Sequence, residues 1–236
     1  MENSENKFLI STGSSNLAKT EKLLSITQKI LSEIKPQYES IKIGNQEWMT
    51  INLDVDRFRN GDLIHHIKSD KEWENAGENG QPAWCYYDND PENGKKYGKL
   101  YNWFAVNDPR GLAPEGWHVP SDEEWTILVE FLGGNDIAVH KMKSVGSWED
   151  WEDEVGELQN GNGDNSSGFN GLPGGFRFSH GSFFNIRNFA FFWSATEYEF
   201  NTAWLRFLYQ TSGYMGRDLG IYFSVSYGAS VRCLRN

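Results

Sequence analysis

Apolar positions change their spacing twice along this chain. Between residues 16 and 35, Leu17, Leu23, Leu24, Ile26, Ile30, Leu31 and Ile34 recur near helical spacing, with Lys and Glu between them, until Pro36 stops the run. That pattern predicts an amphipathic helix. Two placements stand for it: packing against the rest of the chain, or serving as a handle for oligomerisation or attachment. Residues 1–15 are polar and Ser/Asn-rich, as expected of a loose lead-in. The division expected is therefore residues 1–40 as lead and helix, and 41–236 as the main domain.

From Ile41 the period shortens. Ile41-Lys42-Ile43, Gly44-Asn45 and Glu47-Trp48-Met49 read as a hairpin around a two-residue turn. Residues 54–98 hold Asn60-Gly61, Asn79-Gly80 and Asn93-Gly94 and are expected to be irregular. The apolar run at 100–106 is read as a buried helix. Ser121-Asp122-Glu123-Glu124 is a capping box with acids in the first turn. Trp125, Leu128, Val129 and Leu132 supply one stripe and Gly133-Gly134 the stop, which predicts a helix over 122–132. Residues 146–170 are acidic, then Asn/Gly-rich, and read as loop. Short strands are expected near 192–195, 203–209, 213–217, 221–225 and 230–234.

The strand expected at 203–209 decides the functional reading. Trp204, Arg206 and Leu208 share one face, and Leu205, Phe207 and Tyr209 the other. If the first set points inward, the second is an apolar strip awaiting a partner. The opposite case is a strip packed beneath another sheet or a neighbouring subunit.

Composition sharpens this. The chain has 236 residues, with 10 Trp, 10 Tyr and 15 Phe, so few side chains can build a sizeable core. Its net charge of −11 argues against general affinity for nucleic acid or anionic membrane. The final third is different: Arg177, Arg187, Arg206, Arg217, Arg232 and Arg235 face only Glu197, Glu199 and Asp218, with no lysine. Arginine with aromatics is the composition of recognition surfaces. No stretch approaches membrane-spanning length, and residues 1–6 are not a basic lead into an apolar core. As written, the sequence is expected in the cytoplasm unless exported by a route without a cleaved signal.

Candidate chemistry is sparse. Cys85 and Cys233 cannot supply a four-sulfur zinc site and allow at most one disulfide. The oxygen-rich loop 160–167 matches no defined calcium loop and reads as Asx/Gly turns. The histidines are dispersed, no nucleophile–base pair stands out, and no cofactor is implied. Gly171-Leu172-Pro173-Gly174-Gly175 lacks the Lys-Ser/Thr ending of a phosphate loop and reads as a tight backbone crossing. Trp48, Trp103, Trp117, Trp125 and Trp193 sit in apolar contexts and are expected in the core.

Seven phrases occur in order: Ile43-Gly44-Asn45-Gln46-Glu47-Trp48-Met49, Trp84-Cys85-Tyr86-Tyr87, residues 97–103, residues 116–125, residues 171–177, Phe192-Trp193-Ser194-Ala195-Thr196-Glu197 and Ser230-Val231-Arg232-Cys233-Leu234. Together they resemble the Fibrobacter succinogenes major paralogous domain family over about residues 41–236. The resemblance implies an α+β, C-type-lectin-like fold related to the formylglycine-generating enzyme. That fold has a small twisted antiparallel sheet, two helices and extensive ordered loops. Members are mostly surface or secreted proteins, and some resemble the variable proteins of diversity-generating retroelements.

Carried over by position, the displayed, ligand-binding side chains would be Leu205, Phe207, Tyr209, Thr211, Tyr214, Gly216, Asp218, Tyr222 and Phe223. Trp204, Arg206, Leu208 and Arg217 would be framework. The related enzyme's catalysis needs two nearby reactive cysteines and does not transfer. The function expected is thus non-enzymatic recognition of a protein or glycan ligand. The alternative is an assembly protein that uses the same surface and the N-terminal helix to form a homo-oligomer or attach elsewhere.

Overall fold

A computed structural model describes residues 19–25, 38–211, 216–217 and 223–236. The chain has two compact units, Met1–Tyr38 and Glu39–Asn236. In the first, residues 19–25 are helical (α1), and Leu23 and Leu24 are exposed. The remainder of the expected helix over 16–35 lies outside the described residues.

The second unit is a mixed α+β domain with several small sheets. It opens with the expected hairpin, β1 (Ser40–Ile43) and β2 (Gln46–Met49), turning through Gly44 at φ 61°. Then come β3 (His65–His66), α2 (Asp70–Glu78), β4 (Ala83–Cys85), a 3-10 turn (Tyr87–Asn89), α3 (Pro91–Tyr97), β5 (Leu100–Tyr101) and α4 (Trp103–Val106). The stretch 54–98 is therefore more regular than its turn signals imply. Ser69 and Asp90 cap α2 and α3, whose interiors are mostly polar and show little apolar periodicity. Residues 100–106 divide at Asn102, whose side chain accepts from Ala105 N to start α4.

After β6 (Trp117–His118), the capping box forms as expected. The Ser121 hydroxyl accepts from Glu124 N at 3.2 Å, and Ser121 N donates to Glu124 Oε2 at 2.8 Å. It starts α5 (Asp122–Phe131), which α6 (Asn135–Met142) follows. The acidic segment turns back on itself as β7 (Trp151–Glu152) and β8 (Leu158–Gln159), with Trp148 buried and Trp151 half-buried. Loop 160–167 is a set of Asx turns: Asn160 Oδ1 accepts from Asn162 N, and Asp164 Oδ1 from Ser166 N.

The last elements are β9 (Gly174–Arg177), β10 (Phe183–Ile186), β11 (Phe189–Glu199), β12 (Thr202–Tyr209) and β13 (Leu234–Arg235). β13 pairs with β2 and β6, so the first and last strands of the domain share one sheet in the order β1-β2-β13-β6. A second sheet runs β10-β9-β11-β12, and β11 and β12 form its long antiparallel hairpin. Gly175, at φ 64°, is the tight crossing anticipated from the glycine-rich phrase: a Cβ there would lie 2.5 Å from Phe184 O.

The main core fills the space between these sheets and α5. Trp48, Trp125, Phe169, Phe192 and Leu208 meet there, and Trp48 and Trp125 ring centres are 4.6 Å apart. The five tryptophans expected in the core are all buried. Arg232 is fully buried beside it without a carboxylate partner among the described residues. Its guanidinium donates to Asn52 Oδ1 and to the carbonyls of Met49, Phe169 and Asn170, and burial pulls its pKa down to about 9.

Candidate recognition surface

The parity read from the sequence holds for β12, but the exposure assigned to it does not. Phe189 faces Tyr209, Phe191 faces Phe207, and Trp193 faces Leu205, so all six share one face of the hairpin. That face is covered by the chain's own end. The Phe223 ring lies 5.1 Å from Phe191 and 5.5 Å from Phe176, and Tyr227 is 5.2 Å from Phe223. Gly216 pairs with Phe207 through two backbone hydrogen bonds, so closely that a Cβ would fall inside the Phe207 ring.

The displayed set is corrected accordingly. Leu205, Phe207 and Phe223 are 2%, 4% and 6% exposed, and Gly216 is buried as well. Tyr209 and Thr211 are half-buried, with Tyr209 stacked on Phe189 at 4.1 Å. Tyr214, Asp218 and Tyr222 lie outside the described residues. The physical reason is economy of apolar surface: a sheet face this rich in rings is stabilised by covering it, and Gly216, Phe223 and Tyr227 are near enough in sequence to do so.

On the opposite face, Ala190, Phe192 and Leu208 enter the main core beneath α5. Arg206 follows them in. It is nearly sealed, with Nη1 2.8 Å from Asp122 Oδ1 and Nη2 donating to the Asp122 carbonyl and the Thr126 hydroxyl. Asp122 also binds Arg217, through Nε at 3.1 Å and through Nη2. Its amide donates to the Thr196 hydroxyl at 3.0 Å. One residue at the start of α5 thus ties the helix to both strands of the hairpin. Its negative charge suits that helix end.

Beyond Arg206 exposure rises towards the hairpin turn. Trp204 is half-buried, with the Arg217 guanidinium 3.9 Å from its ring centre and the Tyr198 ring 4.3 Å away, edge-on. Tyr198 is 39% exposed, and Phe200, in the turn between β11 and β12, is 89% exposed. Exposed rings thus lie beside a guanidinium set over a tryptophan ring, a cation–π arrangement. Sequence reasoning placed Trp204 and Arg217 in the framework and passed over Tyr198 and Phe200. The available signal was a large ring inside the polar turn Glu199-Phe200-Asn201-Thr202.

The comparison that decides the family covers nearly all of the second unit: the model of the Fibrobacter succinogenes major domain matches residues 41–235. The chain belongs to that family. Neither the curated proteins nor the solved structures yield a match. In this Fibrobacter succinogenes major domain the two cysteines are free thiols, both buried, and burial pushes each pKa up to about 12. Among the described residues no group of three or more His, Cys, Asp or Glu is placed to hold a metal ion, and no helix is long and apolar enough to cross a membrane.

Proposed function

We propose that this domain is a non-enzymatic recognition module with a C-type-lectin-like scaffold, and that it meets a protein ligand through the end of the β11–β12 hairpin. The contact residues are Tyr198, Phe200, Trp204 and Arg217. The observation that carries this reading is Phe200, a phenylalanine left almost wholly in water at the tip of a strand pair whose interior is sealed on both faces. A ring in that position adds nothing to the core and is available to a partner. The buried, alkaline-shifted thiols support a role outside catalysis. The resemblance to variable proteins of diversity-generating retroelements belongs to this proposal, with changes tolerated at the turn.

Selection of peptides from a displayed library against the immobilised full chain tests it. Phe200→Ser and Tyr198→Ser should weaken selected binders at least tenfold while the melting temperature stays put. Binders indifferent to both substitutions would place recognition elsewhere.

A second reading has its own observation. Ile127, Phe131 and Ile137 leave an exposed apolar strip on α5 and α6, which favours self-association. Solution mass of the chain and of Phe131→Glu separates the readings: a dimer that becomes a monomer on substitution supports assembly.

A further inference from the structure

We propose that a separate site, between the end of α2, α4 and the turn Ser224–Tyr227, holds the ring of a neutral sugar. It goes beyond the protein contact proposed above and stands whether or not that contact is found. The site is a pocket of about 430 Å³ with Asn201, the neighbour of Phe200, in its wall. Small-molecule sites commonly enclose about 300–1,000 Å³.

Backbone contacts set the frame of this pocket. Val225 N donates to the Asn201 carbonyl at 3.1 Å, and the Val225 carbonyl accepts from Trp103 N at 2.9 Å. The loop is thereby fastened to the hairpin turn and to α4 at once. Tyr227 N closes the turn on the Ser224 carbonyl at 2.9 Å, and Ser224 Oγ accepts from Ser226 N at 3.3 Å. Gly77 lets α2 come close, since a Cβ there would lie 2.7 Å from both Cβ and Oγ of Ser226. A site framed before its ligand arrives loses less entropy on binding.

The lining selects the ligand by its donors and acceptors. Glu74 and Glu78 only accept, whereas the hydroxyls of Ser179, Ser224 and Ser226 and the Asn201 amide both donate and accept. Among the described residues no Lys, Arg or His lines the pocket, and Glu74 already pairs with Lys71 at 2.8 Å. An anion would therefore meet two carboxylates with no cation in the wall to offset them. An ammonium group, having donors alone, would leave the amide and hydroxyl donors unmatched. A hydroxyl is donor and acceptor at once and matches both kinds of wall group. Several hydroxyls on one ring match several of them together.

Phe104 completes the set. It is half-buried, while the other residues of α4 are buried, and a side chain at Gly80 would begin 3.6 Å from its ring. The weakly positive C–H face of a pyranose packs on the negative face of such a ring.

The probes are the methyl glycosides of glucose, galactose, mannose and N-acetylglucosamine. Each is titrated into the isotope-labelled full chain while the Gly77, Gly80 and Ser226 amide resonances are followed by NMR. At least one should shift these amides saturably, and tetrahydropyran-2-methanol, a similar ring with one hydroxyl, should bind at least tenfold more weakly. Asn201→Gly removes the amide but suits the backbone there, at φ 62°, and should weaken binding at least fivefold. Glu78→Ala should do the same, and Phe104→Leu, which keeps apolar bulk without the ring, should weaken it at least threefold. Spectral dispersion reports that each variant is folded. No saturable shift with any of the four glycosides, equal binding of tetrahydropyran-2-methanol, or binding indifferent to both Asn201→Gly and Glu78→Ala would overturn the inference. Butylammonium chloride shifting the same amides at lower concentration than every glycoside would also overturn it, by making the pocket a cation site.

Discussion

Arg217 lies with its guanidinium 3.9 Å from the Trp204 ring centre while binding the carboxylate that also neutralises Arg206. The two arginines therefore depend on Asp122 unequally. Asp122→Asn removes the carboxylate that the nearly buried Arg206 pairs with and should destabilise the domain by about 3–5 kcal/mol. Arg217→Ala removes a half-exposed pair and should cost about 1 kcal/mol or less. Urea unfolding of the two variants checks the contrast, and equal losses would contradict it.

The reversal of display and core gives a second contrast. Phe207→Ala opens a cavity between Phe189, Phe191 and Gly216 and should lose about 3–5 kcal/mol. Phe200→Ser should stay within about 0.5 kcal/mol of the parent. Thermal unfolding reads both. A tolerant Phe207 would restore the surface role inferred from the sequence.

At Gly175 the objection to a side chain is twofold. Its φ of 64° disfavours any L residue, and a Cβ would press on backbone atoms of β10, with Phe184 O at 2.5 Å and Ile186 N at 2.7 Å. Backbone cannot swing aside as a flexible side chain does. Gly175→Ala should therefore cost about 2 kcal/mol or more, measured by urea unfolding. Gly116→Ala, also at positive φ but with open space around it, should cost less.

Alkaline stability should report the buried thiols. Each folded pKa is raised by burial from 9.0 to about 12, so the stability each contributes is complete below about pH 9 and is lost as pH climbs towards 12. The loss is up to roughly 4 kcal/mol per thiol. Lys143 works in the opposite sense: burial draws it down to about 8, so its contribution improves as pH rises from there towards its ordinary 10.5. Cys85→Ala compared with the parent at each pH cancels the lysine and should show a shallower decline above pH 9. Both thiols should stay inert to a thiol reagent at pH 8 until the chain is unfolded.

What the sequence disclosed follows the range of the interactions involved. The β1–β2 turn, the Ser121–Glu124 box, the tight crossing at Gly175 and the core tryptophans were legible because neighbours a few residues apart determine them. The α2 and α3 helices were not, because their caps outweigh a weak apolar rhythm. Side-chain parity along β12 was legible too. Which face meets water was not, since Phe223 and Tyr227 cover one side and Asp122, 84 residues before Arg206, anchors the other. No local pattern encodes a contact at that separation.

A strand with neighbours above and below through Leu205–Leu208 leaves little latitude for change along its length. Lineages of this domain that alter what they meet would have to do so by rewriting the corner at Phe200-Asn201 and the few groups flanking it. Such a protein would acquire new partners a residue or two at a time, with its architecture untouched.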